Sequence, residues 1–190
     1  MRIIGGIHRS VALTSVGKGD EAGHLRPTTD RIRESLFNVL AGGRFGDPLE
    51  GARVLDLFAG TGALGLEALS RGAKQVCFIE KGRAGYKILS KNIAKLRAGE
   101  VTNALTWDAT RLPDNPYEPF DLVFLDPPYG KELGAKALTC AMKQGWIAEN
   151  ALVVWEEEAP QSAPEGFDVL ESKKYGSTHI TFLELSENSA

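Results

Sequence analysis

The hydrophobic positions of this chain change period several times, and those changes outline its elements. Short runs rich in β-branched and aromatic residues predict strands: "RVLDLFA" at 53–59, "KQVCFIE" at 74–80, "VTNALTWD" at 101–108, "DLVFLD" at 121–126 and "ALVVWEEE" at 151–158. Between them, "ALGLEALSRG" (63–72), "AGYKILSKNIAKLR" (84–97) and "GAKALTCAMKQG" (134–145) repeat apolar residues every three or four positions and predict helices. "DVLESKKYGSTHITFLEL" (168–185) alternates on both sides of a Gly-Ser pair, which predicts a hairpin. Strands and helices alternating over short connections predict a mostly parallel α/β sheet covered on both faces, with the hairpin as an antiparallel edge.

Two pieces precede this core. "RIIGGIHRSVALTSV" reads as short strands broken by glycines. "RPTTDRIRESLFNVL" reads as a helix capped by Thr29 or Asp30, with Ile32, Leu36, Val39 and Leu40 along one face. The chain thus divides into a small N-terminal extension, 1–45, and a main domain, 46–190.

Composition excludes little. No apolar run approaches the roughly 18–20 residues of a membrane span, and the first residues lack a signal-peptide core, so a cytoplasmic protein without a membrane partner is expected. Cys77 and Cys140 lie in apolar contexts and read as packing residues rather than a disulfide or metal pair. His8, His24 and His179 are scattered and suggest no metal site, while Trp107, Trp146 and Trp155 read as core residues. The net charge of −3 argues mildly against nucleic acid until it is divided. Residues 1–36 hold six Lys/Arg against four acids, whereas 145–190 hold two against nine. The acidity therefore belongs to the tail, and a basic face elsewhere stays open.

"GTGALG" (60–65) matches G-x-G-x-x-G, follows a strand and opens a helix, and Glu80 ends the next strand. That context suits a dinucleotide, so a nicotinamide dehydrogenase has to be weighed. Asp56 turns the choice. Four residues before Gly60, its carboxylate is expected to point into the crevice at the strand ends, where it would repel a pyrophosphate and attract the sulfonium and amino groups of S-adenosylmethionine. Glu80 suits the ribose hydroxyls of either cofactor, and Asp108 is placed to accept from an adenine amino group.

"VLDLFAGTGALGLEALSRGA" followed by "LVFLDPPYG" resembles class I S-adenosylmethionine-dependent methyltransferases. With "MRIIGGIHRS" and "RPTTDRIRESLFNVL" added, the chain closely resembles the RsmD family, which methylates a guanine N2 in bacterial small-subunit (16S) ribosomal RNA. The resemblance implies a Rossmann-like, seven-stranded sheet. It implies a cofactor site of Asp56, Phe58, Ala59, Gly60, Thr61, Gly62, Glu80, Lys81, Asp108 and Ala109, with Thr28 and Arg31 helping to cover it. Ribosomal RNA, free or in an assembling small subunit, is the partner implied for a monomeric enzyme.

"Asp126-Pro127-Pro128-Tyr129" then has a chemical reading. Guanine N2 is a poor nucleophile because its lone pair is delocalised into the ring. Asp126 Oδ and the Pro127 carbonyl can accept its two hydrogens and leave the lone pair pointing forward, while two prolines fix both acceptors. Tyr129 offers a face for an extruded base. Four residues cannot separate guanine N2 from another nitrogen such as adenine N6 in DNA, and a catalytically silent RNA-binding protein of this fold is a further alternative. For RNA contact the expected residues are Arg2, Arg9, Arg26, Thr29 and Arg33, all in the basic N-terminal part.

Overall fold

The computed structural model describes residues 1–15 and 30–186. Helix α1 spans Asp30–Leu40. A strand–helix alternation follows: β1 Arg53–Leu57, α2 Ala63–Ser70, β2 Gln75–Ile79, α3 Arg83–Lys95 and β3 Thr102–Leu105. Then come β4 Phe120–Leu125, α4 Leu133–Lys143, β5 Ile147–Glu157, β6 Phe167–Tyr175 and β7 Thr178–Leu185. All seven strands form one sheet in the order β3-β2-β1-β4-β5-β7-β6. β1 to β5 run parallel, and β7 and β6 close the edge antiparallel, as the hydrophobic pattern predicts.

The order reverses between β1 and β4. At such a switch point the connections leave in opposite directions and open a crevice beyond the strand ends. The two strands that flank it are paired through Leu57 and Leu125, which sets the glycine loop beside Asp126.

Strand alternation divides the core. Val54, Leu122 and Phe124 face one cluster with α1, α2 and α3, whereas Leu55, Leu57, Val123 and Leu125 face another with α4 and Trp146. Trp107 packs edge-on against Trp146, and Cys77 is fully buried. Cys140 and Cys77 are free thiols.

The N-terminal part departs from expectation in two ways. Its predicted strands reduce to one bridge, Arg2 with Ala12, around a turn in which Gly6 and Ser10 take positive φ. Nor is it packed separately. Ile3, Leu13, Leu36, Phe37 and Leu40 belong to the same cluster as Val54 and Leu66, so no packing gap marks the 45/46 division.

The segment 1–15 is held by a buried acid. Glu67, on α2, accepts from the backbone N–H groups of Ile4 (2.7 Å) and Gly5 (2.8 Å) and from Arg71 Nε (2.7 Å). Arg33 Nε lies 3.7 Å from the same carboxylate. Farther along, Asn92 of α3 accepts from Thr14 N and donates to Thr14 O and Thr61 O. Two buried polar side chains therefore fasten the N-terminal segment over the helices that frame the glycine loop.

Candidate active site

The loop after β1 is bent by three residues in the left-handed region: Phe58 (φ 61°), Gly60 (φ 54°) and Gly62 (φ 78°). A non-glycine there is strained, and such strain clusters at functional turns. Gly65, the last glycine of the motif, serves packing. A Cβ on it would lie 2.5 Å from the Phe78 ring and 2.7 Å from Val76, so α2 could not rest this close to β2. Ala59 is buried, and its N–H donates to Ile79 O (3.0 Å), tying the loop to β2.

Asp56 does not point into the crevice as expected. It lies two residues beyond Val54 on the α2 face of the strand, is 2% exposed, and accepts from Gly65 N (3.0 Å). The period of two that buries Val54 carries Asp56 beneath the loop. Burial pushes its carboxyl from the ordinary 3.8 up to about 7, against the lowering effect of the Gly65 bond and with help from Glu80. Glu80 ends at the loop's edge. One oxygen accepts from Gly60 N (2.7 Å) and the other from Gly82 N (2.6 Å). Burial raises it also, while those two bonds pull it down.

On the other side of β2, Lys81 Nζ donates to Asp108 Oδ2 (2.7 Å). Asp108 Oδ1 accepts from Thr110 N and Thr110 Oγ1. Lys81 and then Thr110 hold its carboxyl down to about 2. Both oxygens thus already have partners in the chain, where an adenine amino group was the expected donor. Thr110 is a site-side residue that sequence reasoning missed. Ala109 is buried beneath this pair.

Asp126 follows β4 directly, half-buried, with Pro127 buried and Pro128 and Tyr129 half-buried after it. Tyr129 is tethered at its far end: its hydroxyl donates to Glu156 Oε1 (3.1 Å) and lies 3.4 Å from Thr178 Oγ1. Burial, opposed by the Thr178 bond, raises the Tyr129 hydroxyl further above its ordinary value. Glu156 and Thr178 are both about 5% exposed. They were missed, although the "WEEE" run at the end of a buried strand is a signal, since apolar strands seldom close on three acids. Burial raises Glu157 as well, and its Oε2 accepts from Glu158 N (3.1 Å).

The structure unites Asp56, Phe58, Ala59, Gly60, Thr61, Gly62, Glu80 and Asp126 at the switch point, with Lys81, Asp108 and Ala109 at its β3 side. Arg2, Arg9 and Arg31 are exposed on the N-terminal part. Arg33 is not. It is fully buried, bonded to Asp30 (3.0 Å) and to the carbonyl of Arg2, so it belongs to the core under segment 1–15 and cannot meet RNA phosphates. Arg26, Thr28 and Thr29 lie outside the described residues. Among the described residues no group of three His, Cys, Asp or Glu could hold a metal, and no helix is long and apolar enough to cross a membrane.

Known proteins are similar to this chain over most of its length. The family described as "Conserved hypothetical protein 95" matches residues 1–184. The Escherichia coli K12 protein named ribosomal RNA small subunit methyltransferase D is 41% identical over 168 residues, 86% of this chain and 78% of that protein. Its Haemophilus influenzae namesake is 37% identical over 182 residues, 93% of this chain and 89% of that protein. The solved structure of Escherichia coli yhhF superposes with a TM-score of 0.81 at 36% identity, covering 98% of each chain. With the glycine loop, the switch point and the Asp-Pro-Pro-Tyr turn in the same chain, the conclusion is direct: this protein belongs to the RsmD family.

Proposed function

We propose that this protein, a cytoplasmic monomer, transfers a methyl group from S-adenosylmethionine to the exocyclic N2 of a guanine in small-subunit ribosomal RNA. The observation that carries this reading is the placement of Asp126-Pro127-Pro128-Tyr129 one residue beyond the Leu57–Leu125 pair, beside the glycine loop. The names of the relatives support the RNA substrate.

The donor set fits the cofactor. Glu80 and Asp126 bring two carboxyls to the ends of β2 and β4, Asp56 adds its carboxyl from beneath the glycine loop, and the neighbouring Lys81 is already paired with Asp108. Such a crevice repels a pyrophosphate and favours a cationic ligand. S-adenosylmethionine supplies an electrophilic methyl on a positively charged sulfur. Glu80 keeps a free lone pair on each oxygen for ribose hydroxyls, after Gly60 N and Gly82 N have taken one apiece.

At the other end, Asp126 Oδ and the Pro127 carbonyl accept the two hydrogens of the target amino group and aim its lone pair. Positioning of this kind supplies most of the acceleration, because little covalent chemistry is left to the protein. Tyr129, fixed at its hydroxyl, holds its ring for a base taken out of the stack. Asp126 needs no raised basicity, since the proton leaves a nitrogen that methylation has made acidic.

Asp126→Ala should abolish methyl transfer to small-subunit RNA and leave the affinity for S-adenosylmethionine, read by calorimetry, within about twofold. Equal loss of both would make the residue structural. Mass spectrometry of the product should show N2-methylguanine, and a methyl group on adenine N6 would overturn the assignment of the target nitrogen.

A further inference from the structure

Apart from the crevice, a concavity beside α4 carries a charge of its own. A groove of about 740 Å³ runs between the turn at Thr110–Arg111 and helix α4, lined by Leu133, Lys136, Thr139 and Lys143 among others. Arg111, Lys136 and Lys143 give it three cations and no lining acid. All three side chains are exposed, and among the described residues none is paired with a carboxylate.

Spacing and rigidity both count. Lys136 and Lys143 are seven residues apart, two turns of helix, so they lie on one face with about 10.5 Å of rise between them. Thr139, between them on that face, adds a hydroxyl. The opposite wall is stapled to α4. Leu112 N donates to Cys140 Sγ (3.2 Å), Asn115 N to Gln144 O (2.9 Å), Asn115 Nδ2 to Gly145 O (3.0 Å), and Trp146 Nε1 to Pro113 O (2.8 Å). A basic furrow with fixed walls spares a ligand the cost of ordering the backbone that carries its charges.

The furrow starts at the site. Leu133, which opens α4, stands seven residues beyond Asp126, and Thr110 bonds Asp108 at the end of β3. Residues 145–190 carry nine acids against two lysines, a composition unfavourable to a polyanion. We infer that the α4 groove seats the phosphate backbone of the single-stranded RNA that flanks the target nucleotide, with Arg111, Lys136 and Lys143 each neutralising a phosphate. This rests on the RNA methylation proposed above, and it moves the main docking face from the N-terminal arginines to α4.

The test uses 16S ribosomal RNA from cells lacking this protein, as free RNA and as assembled subunits, whichever the wild type methylates. Three phosphate contacts on a single strand contribute about 2 to the slope of log affinity against log salt. Between 50 and 200 mM salt the wild type should therefore lose about 20-fold more affinity than the triple variant Arg111→Ala/Lys136→Ala/Lys143→Ala. The KM for RNA should rise in the triple variant, while S-adenosylmethionine affinity and the melting temperature stay put. Lys136→Arg/Lys143→Arg should bind as wild type, which separates charge from shape. Wild-type slope and KM in the triple variant would overturn the groove and leave the function intact. A wild type that methylates neither form of the RNA would overturn the functional reading and the groove with it.

Discussion

Asp56 is a carboxyl that the free protein keeps in the wrong environment, and this can be measured. Its burial beneath the glycine loop raises it from 3.8 to about 7. At 1.36 kcal/mol per pH unit, ionised Asp56 costs the free protein about 4 kcal/mol. The sign follows from which state holds the proton. Below pH 3.8 both folded and unfolded chains are protonated and the cost vanishes. Between 3.8 and about 7 the unfolded chain releases its proton while the folded one keeps it, so stability falls as pH rises and levels off above 7. A cationic cofactor reverses the preference, because a positive charge nearby favours the ionised carboxylate. Binding below neutrality must then expel one proton. The Kd for S-adenosylmethionine should fall about tenfold per pH unit between roughly pH 5.5 and 6.5 and flatten above about 7.5. Calorimetry in phosphate and in Bis-Tris, whose protonation heats differ, counts that proton directly. Asp56→Asn keeps an oxygen for Gly65 N–H. It should raise the stability of the free protein at pH 8 by up to about 4 kcal/mol, weaken the cofactor, and remove the pH dependence. Equal heats in the two buffers, with a Kd flat across the range, would refute the reasoning.

Two other expectations follow from buried contacts. Arg33→Ala should destabilise the protein by about 3–5 kcal/mol, since it leaves the fully buried Glu67 short of a partner, and thermal unfolding will read this. The folded fraction should keep the wild-type salt slope for RNA; lost RNA affinity at unchanged melting temperature would return Arg33 to the RNA face. Tyr129→Phe and Glu156→Leu remove the two ends of one hydrogen bond, worth about 1–3 kcal/mol, so each should slow turnover and the double variant should be little slower than either single one. Fully additive losses in a kinetic cycle would show that the bond is absent from the working enzyme.

The glycine loop and the Asp-Pro-Pro-Tyr turn were legible because each is a local pattern whose residues act within one turn. The strands were legible for the same reason, down to the antiparallel hairpin at the sheet edge. What escaped depends on pairing across the fold. Thr178 reaches Tyr129 only because β7 lies against β5, with Glu156 opposite Ile180. Arg33 escaped for a different reason. It shares a stripe with Leu36, Phe37 and Leu40 at helical spacing, which marks it for the interior, yet its charge suggested solvent. The deciding fact was Glu67 on α2, a partner that no pattern inside α1 can announce. Asp56 shows the reverse error, since its strand parity with Val54 already placed it under α2.

The clasp on segment 1–15 also sets an order of events during synthesis. Ile4 and Gly5 bond a side chain 63 and 62 residues downstream, and Thr14 bonds one 78 residues away. At about 5–20 residues per second, roughly 3 to 15 seconds separate the emergence of each partner, during which Ile3 and Leu13 have no seat. The first residues of the described fold to leave the ribosome are therefore among the last to settle. A nascent chain halted before Asn92 would expose them to protease, and one extended past α3 would hide them.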